Sequence, residues 1–161
     1  VWLGLPAAGG KMQAPPRGFL QLVLEMGYPL LIEADGARRF PVKAPASHEP
    51  VLLPETTHVI NVCGLDSLGK PMEEVCFRPE IAAGLLQKQK TDPVTREDIV
   101  ELALDSRAGK KHVMPHMSYQ LVLNKADGTK DEANALGICR LAEKRGFTQI
   151  TVTAGGSQIQ R

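Results

Sequence analysis

Four short apolar runs, each next to a stretch with helical periodicity, constrain the fold of this chain most strongly. Each run has the length and continuous apolar character of a strand in a parallel sheet: residues 29–34, 58–63, 119–123 and 149–153. Four other segments are predicted helices: residues 17–26 with apolar side chains on one face, 79–88 opened by a proline, 95–104 with Thr95 and Asp98 in capping-box spacing, and 131–145 ended by a glycine. Strands that alternate with helices pair in parallel through crossover connections. The sequence therefore predicts a single α/β domain over residues 1–161, with a three-layer, mostly parallel sheet and flanking helices.

Composition excludes several classes of function. The chain has 161 residues and a formal net charge of +1, so it has no strong overall field to attract nucleic acid. Its three cysteines include no CxxC pair, which suits a reducing compartment. No stretch approaches the roughly 18 apolar residues of a membrane span. We expect a cytoplasmic protein without nucleic-acid or membrane partners.

The predicted strand at residues 119–123 leads directly into Asn124, Lys125 and Asp127, in the spacing NKxD. A guanine base offers its N1–H and its exocyclic amine side by side, and one carboxylate can accept both hydrogen bonds. Asp127 would make this contact, Lys125 would lay its methylene stem over the base, and Asn124 would tie neighbouring loops together. The alternative is an ordinary polar strand end. The pattern predicts a guanine-binding element.

A small-residue turn follows the predicted last strand: Thr153, Ala154, Gly155 and Gly156. Small residues allow backbone to approach a ligand closely, and a backbone N–H in such a turn can reach the guanine O6. We therefore include Thr153 and Ala154 in the predicted nucleotide site. The alternative is a flexible tail.

A second acidic strand end is predicted at Glu33, Asp35 and Gly36. Hard cations such as Mg²⁺ prefer carboxylate oxygens, and a glycine can bring its backbone N–H to a terminal phosphate. We predict that Glu33 and Asp35 are metal ligands with a catalytic role and that Gly36 contacts the nucleotide. The alternative is a solvated pair of carboxylates.

The proline-rich loop at residues 38–54 carries several charged side chains. Lys43 is predicted to bind phosphate, and His48 is predicted to carry protons near neutral pH. Prolines restrict the unfolded loop and so lower the entropy cost of ordering these groups. The alternative is a solvated loop.

The phosphate-binding loop GxxxxGK[ST] is missing from the sequence. The nearest approach, at residues 4–12, has the wrong glycine spacing, and Met12 stands where a Mg²⁺-binding hydroxyl is needed. The chain also begins on an apolar run without Met. We expect a preceding segment to supply the loop. A zinc site at His112 and His116 is disfavoured because Pro115 lies between them.

Five segments of the chain resemble the YqeC-like family of accessory proteins for selenium-dependent molybdenum hydroxylases: residues 31–54, 59–71, 77–80, 92–100 and 121–127. The string EADGARRFPVKAPASHEP within the first of these is the specific part. The resemblance implies a P-loop NTPase-like fold that here lacks its N-terminal phosphate-loop unit. It also implies GTP or another NTP with Mg²⁺ as ligands, and a molybdenum hydroxylase or its cofactor-maturation proteins as partners.

Three functions are compatible with these features. The first is a GTP-binding accessory protein that couples nucleotide binding or hydrolysis to cofactor loading. The second is a non-hydrolytic chaperone or scaffold that docks the apo-hydroxylase through the proline loop. The third is an ATP-using kinase or synthase for a cofactor precursor, in which the NKxD spacing is incidental.

Overall fold

The computed structural model of the protein describes residues 4–154. It contains two compact units, the first ending at Glu33 and the second beginning at Ala34.

The first unit contains a short hairpin and a helix. Strands β1 (Leu5–Ala7) and β2 (Lys11–Gln13) pair antiparallel across a tight turn in which Gly9 has a φ of 72°. Helix α1 (Arg17–Glu25) follows Pro16 and ends before Gly27, whose φ is also 72°. A left-handed φ of this kind costs glycine little, so Gly27 suits the end of a helix. The helix predicted at residues 17–26 is therefore confirmed, whereas the hairpin was not predicted.

The strand predicted at residues 29–34 is wrong. These residues form no ladder with any other described residue, and Leu31 is 90% exposed. An apolar run becomes a strand only where a neighbouring strand satisfies its amides and carbonyls. Pro29 also has no backbone N–H to donate to such a ladder.

The second unit contains two parallel sheets. The smaller one pairs β3 (Val42–Lys43) with β5 (Cys76–Phe77). The larger one has the order β4–β6–β7, and all of its pairs are parallel. Its strands are β4 (His58–Gly64), β6 (Ser118–Asn124) and β7 (Ile150–Val152).

Up to residue 154, four α-helices accompany these sheets: α2 (Met72–Val75), α3 (Pro79–Leu86), α4 (Arg96–Leu104) and α5 (Thr129–Glu143). Sequence signals explain their ends. Thr95 and Asp98 form both bonds of a capping box at the start of α4, as predicted. Pro79 occupies the first turn of α3, where its missing N–H costs nothing. The predicted α/β class, with mostly parallel strands and flanking helices, is confirmed.

The core lies on one face of the larger sheet. Tyr119, Leu121 and Leu123 of β6 are buried and alternate with half-buried residues. The Tyr119 hydroxyl donates to the carbonyl of Ala103 at 2.6 Å, which ties β6 to α4. On the opposite face of β4, Ile60 and Val62 are more than half exposed. Strand β4 is therefore covered on one face only.

The cysteines are free thiols among the described residues. Burial raises the pKa of Cys63 to about 12 and that of Cys76 to about 11. Burial also raises the pKa of the half-buried Cys139. Thiols with raised pKa values are poor nucleophiles, so these side chains act as small packing groups.

The helices within residues 4–154 include none with the length and hydropathy of a membrane span.

Candidate functional site

The carboxyl ends of the three parallel strands meet at one edge of the larger sheet, which we call the carboxyl edge. It consists of Gly64 at the end of β4 and Asp66 after it, Asn124 at the end of β6 and Lys125 after it, and Thr153 after β7. Gly64 lies directly opposite Asn124 in the β4–β6 register. Ligands of open parallel sheets bind at this edge because the loops there diverge.

Asn124 joins the loops that follow β6 and β7. Its side-chain oxygen accepts the backbone N–H of Lys125 at 2.8 Å and the hydroxyl of Thr153 at 3.0 Å. The backbone supports the same junction, because Ala126 N–H donates to Thr153 O and Thr153 N–H donates to Leu123 O. The two segments predicted to form one nucleotide site are therefore adjacent and hydrogen-bonded.

The remaining residues of this pair of loops have defined places. Lys125 has a left-handed φ of 66°, and its ammonium contacts Asp66 at 2.7 Å. Asp127 has an exposed side chain just after the buried Ala126. Ala154 is the last described residue and is exposed. Gly155 and Gly156 lie outside the described residues.

A second polar cluster holds the proline-rich loop, and we call it the loop clamp. It consists of Asp35, Lys43, Glu49 and Arg78. Glu49 is its centre: Arg78 donates to both of its carboxylate oxygens at 2.7 and 2.9 Å, and Lys43 contacts it at 2.7 Å. A two-bond arginine–carboxylate contact fixes both direction and distance. The clamp therefore ties residues 43–49 to the start of α3.

The pKa of Glu49 reports the strength of this arrangement. Its side chain is only 13% exposed. Burial alone would raise the pKa, but hydrogen bonds from Arg78, Lys43 and the Ala46 amide lower it to about 2. Glu49 is therefore an ionised structural anchor at neutral pH.

The aromatic ring of Phe77 lies next to three cationic side chains of this region. The guanidinium of Arg78 lies 4.3 Å from the ring centroid, that of Arg38 lies 5.1 Å away, and the Lys43 ammonium 5.8 Å. Phe40 stacks on the same ring with a centroid distance of 6.3 Å. Cations are attracted to the face of an aromatic ring, so Phe77 gathers the positive charges of this region.

Lys43 already occupies a cage of three oxygens. Its ammonium contacts Asp35 at 3.0 Å, Glu49 at 2.7 Å and the carbonyl of Gly36 at 3.0 Å. These are oxygen ligands of the kind that Mg²⁺ prefers. An ammonium in the same cage excludes a second cation by charge repulsion and by volume, so these residues do not fit Mg²⁺ while Lys43 is in place.

The other residues predicted for this site, Glu33 and His48, are exposed. Glu33 is exposed and belongs to the first unit. The His48 side chain is 74% exposed, and its Nε2 lies 3.9 Å from Glu49. Within residues 4–154, no group of three or more His, Cys, Asp and Glu side chains has the geometry to hold a metal ion.

Three side chains of residues 111–116 hold the proline-rich loop next to the clamp through contacts with its backbone carbonyls. Lys111 donates to the carbonyls of Ala46 and Ser47. His112 Nδ1 and His116 Nε2 contact the carbonyls of Pro50 and Pro54 at 2.9 and 3.1 Å. Because a carbonyl oxygen can only accept a hydrogen bond, His112 Nδ1 and His116 Nε2 each carry the proton in these contacts.

The proline-rich loop and residues 112–117 line a cavity of about 470 Å³. His48, His112 and His116 are among its lining residues, with apolar side chains between them.

Three features of the site were not found by sequence reasoning. These are the Arg78–Glu49 pair, the cation-bearing Phe77 and the Lys125–Asp66 pair. Asp66 follows an apolar strand, which is the same signal that identified Asp127. The other two features join residues far apart in the chain, and no local pattern marks them.

The fold is that of an α/β protein with mostly parallel strands. Residues 1–80 match the family model described as YqeC protein, and the chain belongs to the YqeC-like family. No curated protein and no solved structure matches the chain. The matched segment contains the whole loop clamp and Asp66, whereas the loops after β6 and β7 follow it.

Proposed function

We propose that the chain is a GTP-binding accessory protein that reads the guanine base at the carboxyl edge. The YqeC-like membership supports an accessory role, and the family resemblance suggests maturation of a selenium-dependent molybdenum hydroxylase as its setting. Nucleotide binding or hydrolysis would then be coupled to loading of the hydroxylase cofactor.

One observation carries the nucleotide part of the proposal. Asn124 links the Lys125 backbone to the Thr153 hydroxyl, so the NKxD loop and the loop after β7 are held side by side. A base entering this edge meets the exposed Asp127 side chain on one loop and the small residue Ala154 on the other. Asp127 supplies the carboxylate that pairs with guanine N1–H and the exocyclic amine, and Ala154 leaves room for backbone to approach the O6.

Phosphate and metal binding stand differently from base recognition, because the residues predicted for them have other partners. Lys43 and Gly36 were predicted to bind the nucleotide, and Asp35 was predicted to bind Mg²⁺. In the present arrangement all three belong to the loop clamp or its cage. We therefore place base recognition at the carboxyl edge and assign no metal-dependent step to these residues.

The proposal is tested by titrating fluorescent GDP and ADP analogues against the full-length protein. We expect the GDP analogue to bind more tightly, and we expect Asp127→Asn to reduce that preference roughly tenfold or more, because the amide keeps only one acceptor oxygen and its NH2 group then faces a guanine donor. Glu132→Gln is the matched control, since Glu132 is an exposed carboxylate in the first turn of the neighbouring α5. Equal affinities for the two analogues, or a preference that survives Asp127→Asn, would contradict guanine recognition.

A non-hydrolytic scaffold is the second candidate function. The observation that favours it is the proline-rich loop, which is pinned by Glu49, Lys111 and two histidines and borders an apolar cavity. A surface ordered in this way can bind a partner protein at low entropy cost. Failure of both nucleotide analogues to bind would favour this function over the first.

A further inference from the structure

The turn after β4 presents one carboxylate to the carboxyl edge. Leu65 and Ser67, on either side of Asp66, are both buried. The Ser67 hydroxyl donates to the carbonyl of Gly64 at 2.8 Å, which closes the turn. Asp66 itself points outward, with a side chain that is 40% exposed. The direction of this carboxylate is therefore fixed by its buried neighbours.

Gly64 makes room for the Asp66 carboxylate. A β-carbon at position 64 would lie 2.5 Å from Asp66 Oδ1 and 2.7 Å from the β-carbon of Pro41. The Gly64 N–H donates to the Pro41 carbonyl at 2.8 Å, so the strand end cannot shift freely to relieve such a contact. The carboxylate thus lies over the end of β4, in space that only glycine leaves open.

Lys125 reaches this carboxylate from the neighbouring strand. Its backbone has a left-handed φ of 66° and donates to the Asn124 side chain. Its ammonium then contacts Asp66 Oδ2 at 2.7 Å. The methylene stem of Lys125 is therefore stretched from the end of β6 to the end of β4.

We propose that Asp66 is a positioning residue that holds Lys125 in the conformation needed to cover the base. This inference rests on the proposed function. An unpaired lysine at the surface samples many rotamers, and ordering its stem against a ligand costs entropy. An ion pair formed before the nucleotide arrives removes part of that cost. The methylene stem of Lys125 would contact the nucleotide base by apolar packing, and such packing does not distinguish guanine from adenine.

The ion pair therefore makes a prediction that differs from the one for Asp127. We expect Asp66→Asn to weaken binding of the GDP and ADP analogues alike, by roughly three- to tenfold. The ratio of the two affinities should stay unchanged, because the carboxylate that reads the base is still present.

A double-mutant cycle with Lys125→Met isolates the contact. Methionine keeps an apolar stem of similar length but cannot pair with a carboxylate. If Asp66 acts through Lys125, Asp66→Asn will have no further effect on affinity in the Lys125→Met background. Asp66→Glu should restore most of the affinity, because it keeps the charge at the same edge.

Glu101→Gln is the matched control for loss of a surface ion pair. Glu101 pairs with Arg145 at 2.6 Å with side-chain exposures of 41% and 49%, close to those of Asp66 and Lys125. This variant should bind both analogues as the unmodified protein does.

Two results would overturn the inference while leaving the proposed function intact. One is an Asp66→Asn variant that binds both analogues with unchanged affinity. The other is an effect of Asp66→Asn that is equally large in the Lys125→Met background. If the unmodified protein binds neither analogue, the proposed function itself fails, and the inference fails with it.

Discussion

The loop clamp and the carboxyl edge both rely on lysine–carboxylate pairs, but they hold them in different surroundings. Lys43 and Glu49 are 10% and 13% exposed, and Glu49 has partners in Arg78 and the Ala46 amide as well. Lys125 and Asp66 are 44% and 40% exposed and meet through one contact. The distance between the charged atoms is 2.7 Å in both pairs. Distance alone therefore does not separate an anchor from an adjustable contact.

Burial and the number of partners decide what each pair does. A charge removed from water is stable only if nearly all of its hydrogen bonds are replaced, so removing one partner leaves a costly unpaired group. An exposed pair is surrounded by water and ions that can take over the contact. The clamp should therefore contribute to folding stability, and the edge pair should contribute mainly to the arrangement of a side chain.

The largest expected effect is the loss of the central carboxylate of the clamp. We expect Glu49→Gln to lower the free energy of unfolding by roughly 3 kcal/mol at pH 7, because Arg78 and Lys43 lose their buried counter-charge. Chemical denaturation followed by circular dichroism measures this change. A loss below about 1 kcal/mol would place the clamp in the same class as a surface ion pair.

The pH dependence of stability gives an independent test of the same carboxylate. Because the pKa of Glu49 is lowered from about 4.5 to about 2 in the folded protein, its contribution is complete above pH 4.5 and is lost as pH falls towards 2. The stability difference between the unmodified protein and Glu49→Gln should shrink by roughly 2 kcal/mol between pH 7 and pH 3.

The comparison with Glu49→Gln removes other titrating groups from this measurement. Asp105 also has a lowered pKa, because of its hydrogen bonds with Arg107, but both proteins contain it. A difference that stays constant down to pH 3 would show that Glu49 does not titrate in this range.

Local sequence patterns predicted most of the second unit. The capping box at Thr95, the proline at the start of α3 and the apolar runs of β4, β6 and β7 each act over a few residues, so one stretch of sequence contains the whole signal. The predicted strand at residues 29–34 is wrong for the opposite reason. Its apolar character is local, but pairing depends on a neighbour that the run itself does not specify.

The site divides in the same way. The NKxD spacing and the small residues after β7 were recognised from the sequence, and their adjacency follows from the parallel order of β6 and β7. The clamp was recognised only as a set of charged residues. Glu49 and Arg78 are separated in the chain by β4, α2 and β5, and Arg78 has a left-handed backbone. No periodicity encodes such a contact.

The smallest expected effect on stability belongs to Asp66, and it sharpens the comparison. We expect Asp66→Asn to change the free energy of unfolding by less than about 1 kcal/mol, because water replaces the carboxylate around an exposed ammonium. The same denaturation experiment in 1 M NaCl should reduce even this difference, since the Debye screening length falls to roughly 3 Å at that concentration and weakens interactions between exposed charges. The Glu49→Gln difference should persist in the same salt, because ions reach a pair with 10% and 13% exposure far less readily. If Asp66→Asn lowered the free energy of unfolding as much as Glu49→Gln, the Asp66–Lys125 pair would be required for folding of the sheet. Its effect on nucleotide affinity could then no longer be attributed to the position of the Lys125 side chain alone.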